Sequence, residues 1–378
     1  MKIQDLRKKY PKRDAYSTLS LLNYVLKMLG LSCIYRDGDK LKYSFQIYKF
    51  ILFLMLFLTV NIYCVYSFIQ KRQFNKIFTF EDTIQIPYLL GYVQYITDII
   101  FVYKYGRQPY IDYFIVCDHI DSILGMALYK KSRNCISRIS CIFVFISIIL
   151  IIIDLISWTV DLSSSLINIY FVEVIYIIMK MLTSLDVISN WILVKYRLEH
   201  IGDLLQNYYY RTDNLPGVMI VYDKAWISTQ GLRKSDDLGS LKAFPNNRAD
   251  MLTWLSRCYI MLNEQCDFIN IKYGFRVCIL FTLFNGIFKI DSLVLFSGIY
   301  YCEQNYRQTE RIIRLIDHIL IKKKITKEIQ ESLKEFKSLI ASRPINYHAM
   351  NFYRLDYATL VSLASVIVTY TIILLQNL

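Results

Sequence analysis

The stretch YATLVSLASVIVTYTIILLQNL, residues 357–378, decides the architecture. It carries no charge over 22 residues, which as helix spans about 33 Å, enough to cross a bilayer core of about 30 Å. Within it Ala358, Ser362, Ser365, Thr369, Ile373 and Gln376 follow one another at spacings of three or four, which sets them along one stripe. That stripe is small or polar. Lipid gives such a face no reason to exist, so it meets other helices or water, as close packing inside one chain or as a pore lining.

Working outward, further apolar runs precede this one at Phe50–Gln70, Thr83–Tyr103, Ile139–Val160, Leu166–Val194 and Val277–Tyr301. The composition agrees: 55% of the 378 residues are hydrophobic and only 20% charged, too few charges for an ordinary soluble chain. A solenoid, a coiled coil and a disordered chain are excluded. The net charge of +13 raises nucleic acid as a partner, but the cations lie between the apolar runs and form no single basic stripe. No nucleic acid partner is expected.

Lys and Arg counts orient the chain. Eleven lie in the segment up to Lys49, six between Lys104 and Arg138, eleven between Lys195 and Arg276, and eleven between Cys302 and Arg354. The short stretch Asp161–Ser165 has none and falls outside. Val277–Tyr301 is one span long, yet both its flanks are basic, and Lys289 and Asp291 interrupt its middle. Two short half-helices meeting at a turn reconcile these facts. The reading is therefore an all-α polytopic bundle of seven elements, N-terminus inside and C-terminus outside, with the fifth and sixth spans shortened. It divides into a cytoplasmic segment 1–49, transmembrane helices over 50–301 with a long cytoplasmic loop near 195–272, cytoplasmic anchor helices over 302–354 and the last helix over 355–378. Residues 211–250, rich in Gly and charge, read as a flexible loop. In the anchor segment, Ile312, Leu315, Ile316 and Ile319, then Ile329, Leu333, Phe336 and Ile340, predict two amphipathic helices broken near Lys322–Lys324.

Little points to catalysis. The nine cysteines form no CxxC pair, the four histidines have no metal-pair spacing, and no phosphate-binding glycine loop occurs. No enzyme activity, metal or cofactor is expected, and no cleaved signal peptide is evident. Asp98, Asp154, Glu173, Lys180 and Asp186 are ionisable residues inside apolar runs, where hydrogen bonding between helices is the plainest role.

The order of residues at the end of the chain resembles a known family. Thr369-Tyr370, five mostly aliphatic residues and Gln376 are similar to the Thr-Tyr-(five apolar)-Gln-Phe ending of insect gustatory receptors. Phe336, Leu339, Ile345, Ala349, Phe352-Tyr353 and Leu355-Asp356 fall in that family's order before its last span, and Glu303 and Thr309 also look like it. The resemblance implies a ligand-gated, nonselective cation channel in the plasma membrane of sensory neurons, a homo- or heterotetramer with other receptor subunits. Its partners would be a small-molecule tastant, cations and the lipid bilayer. The last helix would line the pore through Ser362, Ser365, Thr369, Tyr370, Ile373, Gln376 and Asn377. Asn377 stands where the family has an aromatic, so a hydrophobic gate cannot be built from that position in a homomer. A tastant pocket among the outer halves of the helices would draw on Tyr92, Tyr95, Asp98, Trp158, Tyr170, Glu173 and Tyr176. An odorant receptor of the same superfamily and a secondary transporter with broken helices are the alternative readings.

Overall fold

In the computed structural model the described residues are 15–38, 40–44, scattered positions in 47–66, 86–105, 107–124, 128–161, 167–210, 248–283, 289–322 and 325–376. Most of the expected first span, Phe50–Gln70, and of the expected loop 211–250 lies outside them. So does the Asp161–Ser165 turn beyond its first residue.

The described residues form helices with two small hairpins. Two short helices, α1 (Ala15–Thr18) and α2 (Ser20–Met28), lead into a hairpin of β1 (Ile34–Asp37) and β2 (Lys40–Tyr43), in antiparallel register Ile34 to Tyr43. Asp37 pairs with Lys40, which leaves a two-residue turn at 38–39, and Gly38 takes the left-handed φ of 60° that such a turn requires. Then come α3 (Ile86–Tyr105), α4 (Gln108–Leu124), α5 (Leu128–Asp161) and α6 (Ile167–Tyr210). Pro87 sits in the first turn of α3, where its missing N–H costs nothing.

The second half is α7 (Arg248–Leu283), α8 (Lys289–Lys322) and α9 (Lys327–Ser342), a hairpin of β3 (His348–Ala349) and β4 (Tyr353–Arg354), and α10 (Tyr357–Gln376). The break between α8 and α9 falls at the expected lysines. Ile312, Ile316 and Ile319 of α8 are buried with Ile329, Leu333, Phe336 and Ile340 of α9. A period near 3.6 is enough to predict such a pairing, because each helix has one apolar face to hide.

Helix lengths differ from the apolar runs in a consistent way. α5 starts eleven residues before its run, at Leu128 instead of Ile139, and α6 continues sixteen residues past its own, to Tyr210 instead of Val194. Hydropathy sees only the part of a helix that meets lipid, whereas Lys, Arg and Glu continue the same helix into water at no cost in propensity. Among the described residues, Ser132–Ile153 is the one helical segment long and apolar enough by itself to cross a membrane.

The shortened fifth and sixth elements take a definite form. Lys289 and Asp291 do not interrupt a span but open α8, and α7 and α8 are each one unbroken helix over their described lengths. α6 and α8 run side by side as the most extensive helix contact. Arg311 Nη2 reaches Asp203 Oδ1 at 2.8 Å, and Gly298 abuts Trp191. This register sets Lys289 level with Met181 and Leu182, so α6 continues beyond the start of α8 by roughly 21 Å at 1.5 Å per residue.

Candidate functional site

The sequence-predicted stripe lies on α10, and Asp356 starts that helix. Its Oδ1 accepts from the Thr359 N–H at 2.9 Å and from the Thr359 hydroxyl at 3.0 Å, an N-cap that satisfies an otherwise orphan donor. Ser362, Ser365, Thr369, Ile373 and Gln376 are all exposed. So are Val361, Val366, Val368 and Ile372, which point in other directions. α10 therefore leaves the bundle with most of its circumference uncovered, touching α8. The Ser362 and Thr369 hydroxyls donate to the carbonyls of Ala358 and Ser365, at 2.9 and 2.8 Å, which keeps their own donors satisfied in any surroundings. The Tyr370 side chain and Asn377 lie outside the described residues.

The segment that carries α10 is tied down by polar side chains of α7 and α8. Tyr259 Oη and Asn263 Nδ2 donate to the Arg343 carbonyl, at 2.9 and 3.1 Å, and Asn270 Nδ2 donates to Asn346 O at 2.7 Å. Tyr306 Oη accepts from the Tyr347 N–H at 3.0 Å, and Asn305 Nδ2 donates to Tyr347 Oη at 3.1 Å. Gly274 of α7 lets the β3–β4 hairpin approach closely, since a Cβ there would stand 3.2 Å from the Met350 backbone nitrogen. Burial pushes the Tyr347 hydroxyl well above its ordinary range and the Cys266 thiol up to about 12, so both stay neutral partners in their 3.2 Å contact.

Sequence reasoning missed an extensive polar assembly among the described residues, a buried network joining α4, α6 and α7. Asp186 of α6 accepts from Tyr273 Oη and, at 3.4 Å, from Tyr110 Oη, while the Lys272 ammonium lies 3.6 Å away. That ammonium also sits 3.2 Å over the Tyr110 ring centroid. Asn190, one turn along α6, accepts from Tyr113 Oη at 2.8 Å. Two turns further, Arg197 grips Asp121 of α4 with Nε at 2.9 Å and Nη2 at 2.8 Å, a two-pronged ion pair whose side chains are 2% and 4% exposed. Gln265 of α7 accepts from Arg197 at 3.3 Å and donates to Cys117 Sγ at 3.0 Å. Burial raises the Tyr110, Tyr113 and Tyr273 hydroxyls well above their usual value and the Cys117 thiol to about 11, so these groups serve as neutral donors and acceptors. Asp186 is the one member that the sequence singled out. The rest lie on three helices with partners across helices 68 or more residues apart, so no local pattern joins them.

Of the expected pocket residues, Tyr95 and Asp98 are buried on one face of α3, a turn apart. The side chains of Tyr92, Trp158, Tyr170, Glu173 and Tyr176 lie outside the described residues, so the pocket is not assembled within them. A cavity of about 20 Å³ does lie between α6, α7, α8 and the start of α10, lined by apolar atoms of Val187, Trp191, Val294, Leu295 and Leu355. It has room for about one water and none for a tastant. Among the described residues, no cluster of three or more His, Cys, Asp or Glu is arranged to hold a metal ion.

Comparisons with known proteins bear on this architecture. Residues 251–377 match the family model of the 7tm chemosensory receptors. No curated protein matches the chain. Among solved structures it is similar to the insect olfactory receptor OR5 from Machilis hrabei, with a TM-score of 0.61 and 13% identity over 96% of this chain and 98% of that one. The same receptor solved in complex with eugenol gives a TM-score of 0.62 at 12% identity over the same shares. The chain thus has the seven-transmembrane fold of an insect olfactory receptor. The match to the chemosensory receptor model thus falls on the last third of the chain, and the solved structures show its fold.

Proposed function

We propose that the chain is a gustatory-type receptor, a ligand-gated, nonselective cation channel subunit of the plasma membrane of sensory neurons. In this reading four copies, alike or mixed, surround a pore lined by α10. Segments 1–49 and 302–354 lie in the cytoplasm, and 50–301 carries the spans. The observation that carries the proposal is the exposure of α10: a helix with a polar stripe and most of its surface uncovered needs partners that a single copy does not supply. Ser362, Ser365, Thr369, Tyr370, Ile373, Gln376 and Asn377 then face the ions, and four Gln376 amides replace part of the hydration shell without a fixed charge. A tastant bound among Tyr92, Tyr95, Asp98, Trp158, Tyr170, Glu173 and Tyr176 opens the pore by its higher affinity for the open state.

Expression in a null cell line with whole-cell recording tests this. Gln376→Ala and Tyr370→Ala are expected to change ion selectivity or gating, and unchanged currents in both would remove α10 from the pore. An odorant receptor is the second reading, favoured by the similarity to an olfactory receptor. A panel of volatile and water-soluble ligands, with eugenol among the volatiles, separates the two. A secondary transporter would instead give uptake against a gradient without channel currents.

A further inference from the structure

The N-terminal unit presents a surface that neither the bundle nor the pore uses. α2 (SLLNYVLKM) contains no acid and has two apolar faces. Asn23 and Leu26 turn inward with Leu19, while Leu21, Tyr24 and Met28, at positions i, i+3 and i+7, point outward and are 78%, 64% and 52% exposed. Lys27 flanks this stripe, and its ammonium lies 4.4 Å over the ring of Tyr35 on β1. The hairpin register puts Tyr35, Asp37, Lys40 and Lys42 on one face and Ile34 and Tyr43 on the other. Three lysines thus meet one described carboxylate on the outward face, and Asp37 already pairs with Lys42 at 2.5 Å.

The unit is held at the inner end of a span. Arg107, between α3 and α4, donates through Nε to Tyr43 Oη at 3.0 Å and stacks 3.8 Å over Tyr103. Lys104 lies beside Tyr105, and the exposed Ile47 and Tyr48 lead on to the first apolar run at Phe50. Aromatic rings and cations interleaved at this level mark a membrane interface.

We propose that the outward face of α2 and the β1–β2 hairpin binds anionic phospholipid of the cytoplasmic leaflet, Leu21, Tyr24 and Met28 entering the acyl boundary while Lys27, Lys40 and Lys42 hold the phosphates. Charge complementarity and continuity with the span select this occupant. A lipid offers hydrocarbon and negative charge at adjacent depths, matching an apolar stripe rimmed by lysines. The proposal rests on the N-terminus lying inside and does not depend on channel activity.

The experiment is amide hydrogen exchange on the full chain in phosphatidylcholine nanodiscs with and without phosphatidylserine. Phosphatidylserine is expected to slow exchange across 20–28 and 34–43 by about tenfold, the electrostatic attraction of the lysines being reduced by screening. High salt and the variant Lys27→Gln/Lys40→Gln/Lys42→Gln should each abolish that slowing, with exchange in α6 and α7 unchanged. The salt arm uses the unaltered chain, so a misfolded variant cannot decide the result. Equal exchange in both lipid mixtures, or slowing that survives high salt, overturns the site. Slowing that appears only when a soluble protein is added would make the face a protein-docking surface and also overturn it.

Discussion

Trp191 of α6 lies against the bare Cα of Gly298 in α8, so close that a β-carbon there would stand 2.7 Å from the indole Cζ3. The indole is 4% exposed and packs edge-on against Tyr347 at 5.7 Å between centroids, so it has little room to retreat. Gly298→Ala is therefore expected to lower stability by about 1–3 kcal/mol, the usual cost of overpacking. Thermal unfolding in nanodiscs measures it, and Trp191→Leu added to Gly298→Ala should recover most of the loss. If Gly298→Ala alone leaves the transition unchanged, the contact does not constrain α6 against α8.

Breaking the Arg197–Asp121 pair should cost more than any surface change. Removing one partner leaves the other charge buried and unpaired, which costs about 3–5 kcal/mol. Arg197→Met and Asp121→Leu are each expected to fall in that range, while the double variant should lose much less than the sum of the two. A double-mutant cycle reads the coupling directly, and additive losses would show that the two charges are independently solvated.

How much of this was legible follows from which forces leave a periodic trace. The faces of α8 and α9 were readable because Ile312, Ile316 and Ile319 and then Ile329, Leu333, Phe336 and Ile340 recur at helical spacing and must all hide. The α10 stripe was readable for the same reason, although its uncovered circumference was not, since exposure depends on which neighbours are absent. Asp121 and Arg197 lie 76 residues apart. Each looks alone like a solvated charge in a basic cytoplasmic segment, and only the packing of α4 on α6 turns them into a buried pair. The β1–β2 hairpin is marked in the sequence chiefly by Gly38, since its strands are four residues each and β1 carries no clean alternation of apolar and polar side chains. Aromatic or acidic character near the outer halves of the helices does not say which side chains face one another, so a pocket cannot be read from it.

The turn between β3 and β4 stores a little strain. Met350 and Asn351 both have left-handed φ, 51° and 62°, and the Phe352 N–H donates to Ala349 O at 2.9 Å. Asparagine tolerates that region, but an unbranched apolar side chain pays roughly 1 kcal/mol for it. Met350→Gly is expected to be neutral or stabilising by up to about 1 kcal/mol, in contrast to the usual loss on introducing glycine. A clear destabilisation would mean that the Met350 side chain contributes more than its backbone costs.

His200 gives a pH dependence with a defined sign. Its Nε2–H donates to Leu124 O at 2.8 Å, and burial holds its pKa below the ordinary value near 6.5. As pH falls below 6.5 the unfolded chain takes up a proton before the folded one does, so stability falls with pH through that window. Each unit of depression is worth about 1.4 kcal/mol. Between pH 7.0 and 5.5 the unfolding temperature should therefore drop more for the native chain than for His200→Gln, which keeps the donor and removes the titration. Equal drops would exclude His200 as the source.

α6 is 44 residues of continuous helix, about 66 Å from end to end. Its first third precedes the level at which α8 begins, while the remaining two thirds are clasped by Asp121, Lys272 and Arg311 on three different helices. A rod clasped by ion pairs along one part and by apolar packing such as that of Met179 and Met181 along the other is a lever whose fulcrum lies among the ion pairs. A 5° tilt about its inner end would carry the outer end about 6 Å sideways, so small rearrangements among the clasping side chains are read out as large excursions on the far side of the membrane, and the reverse.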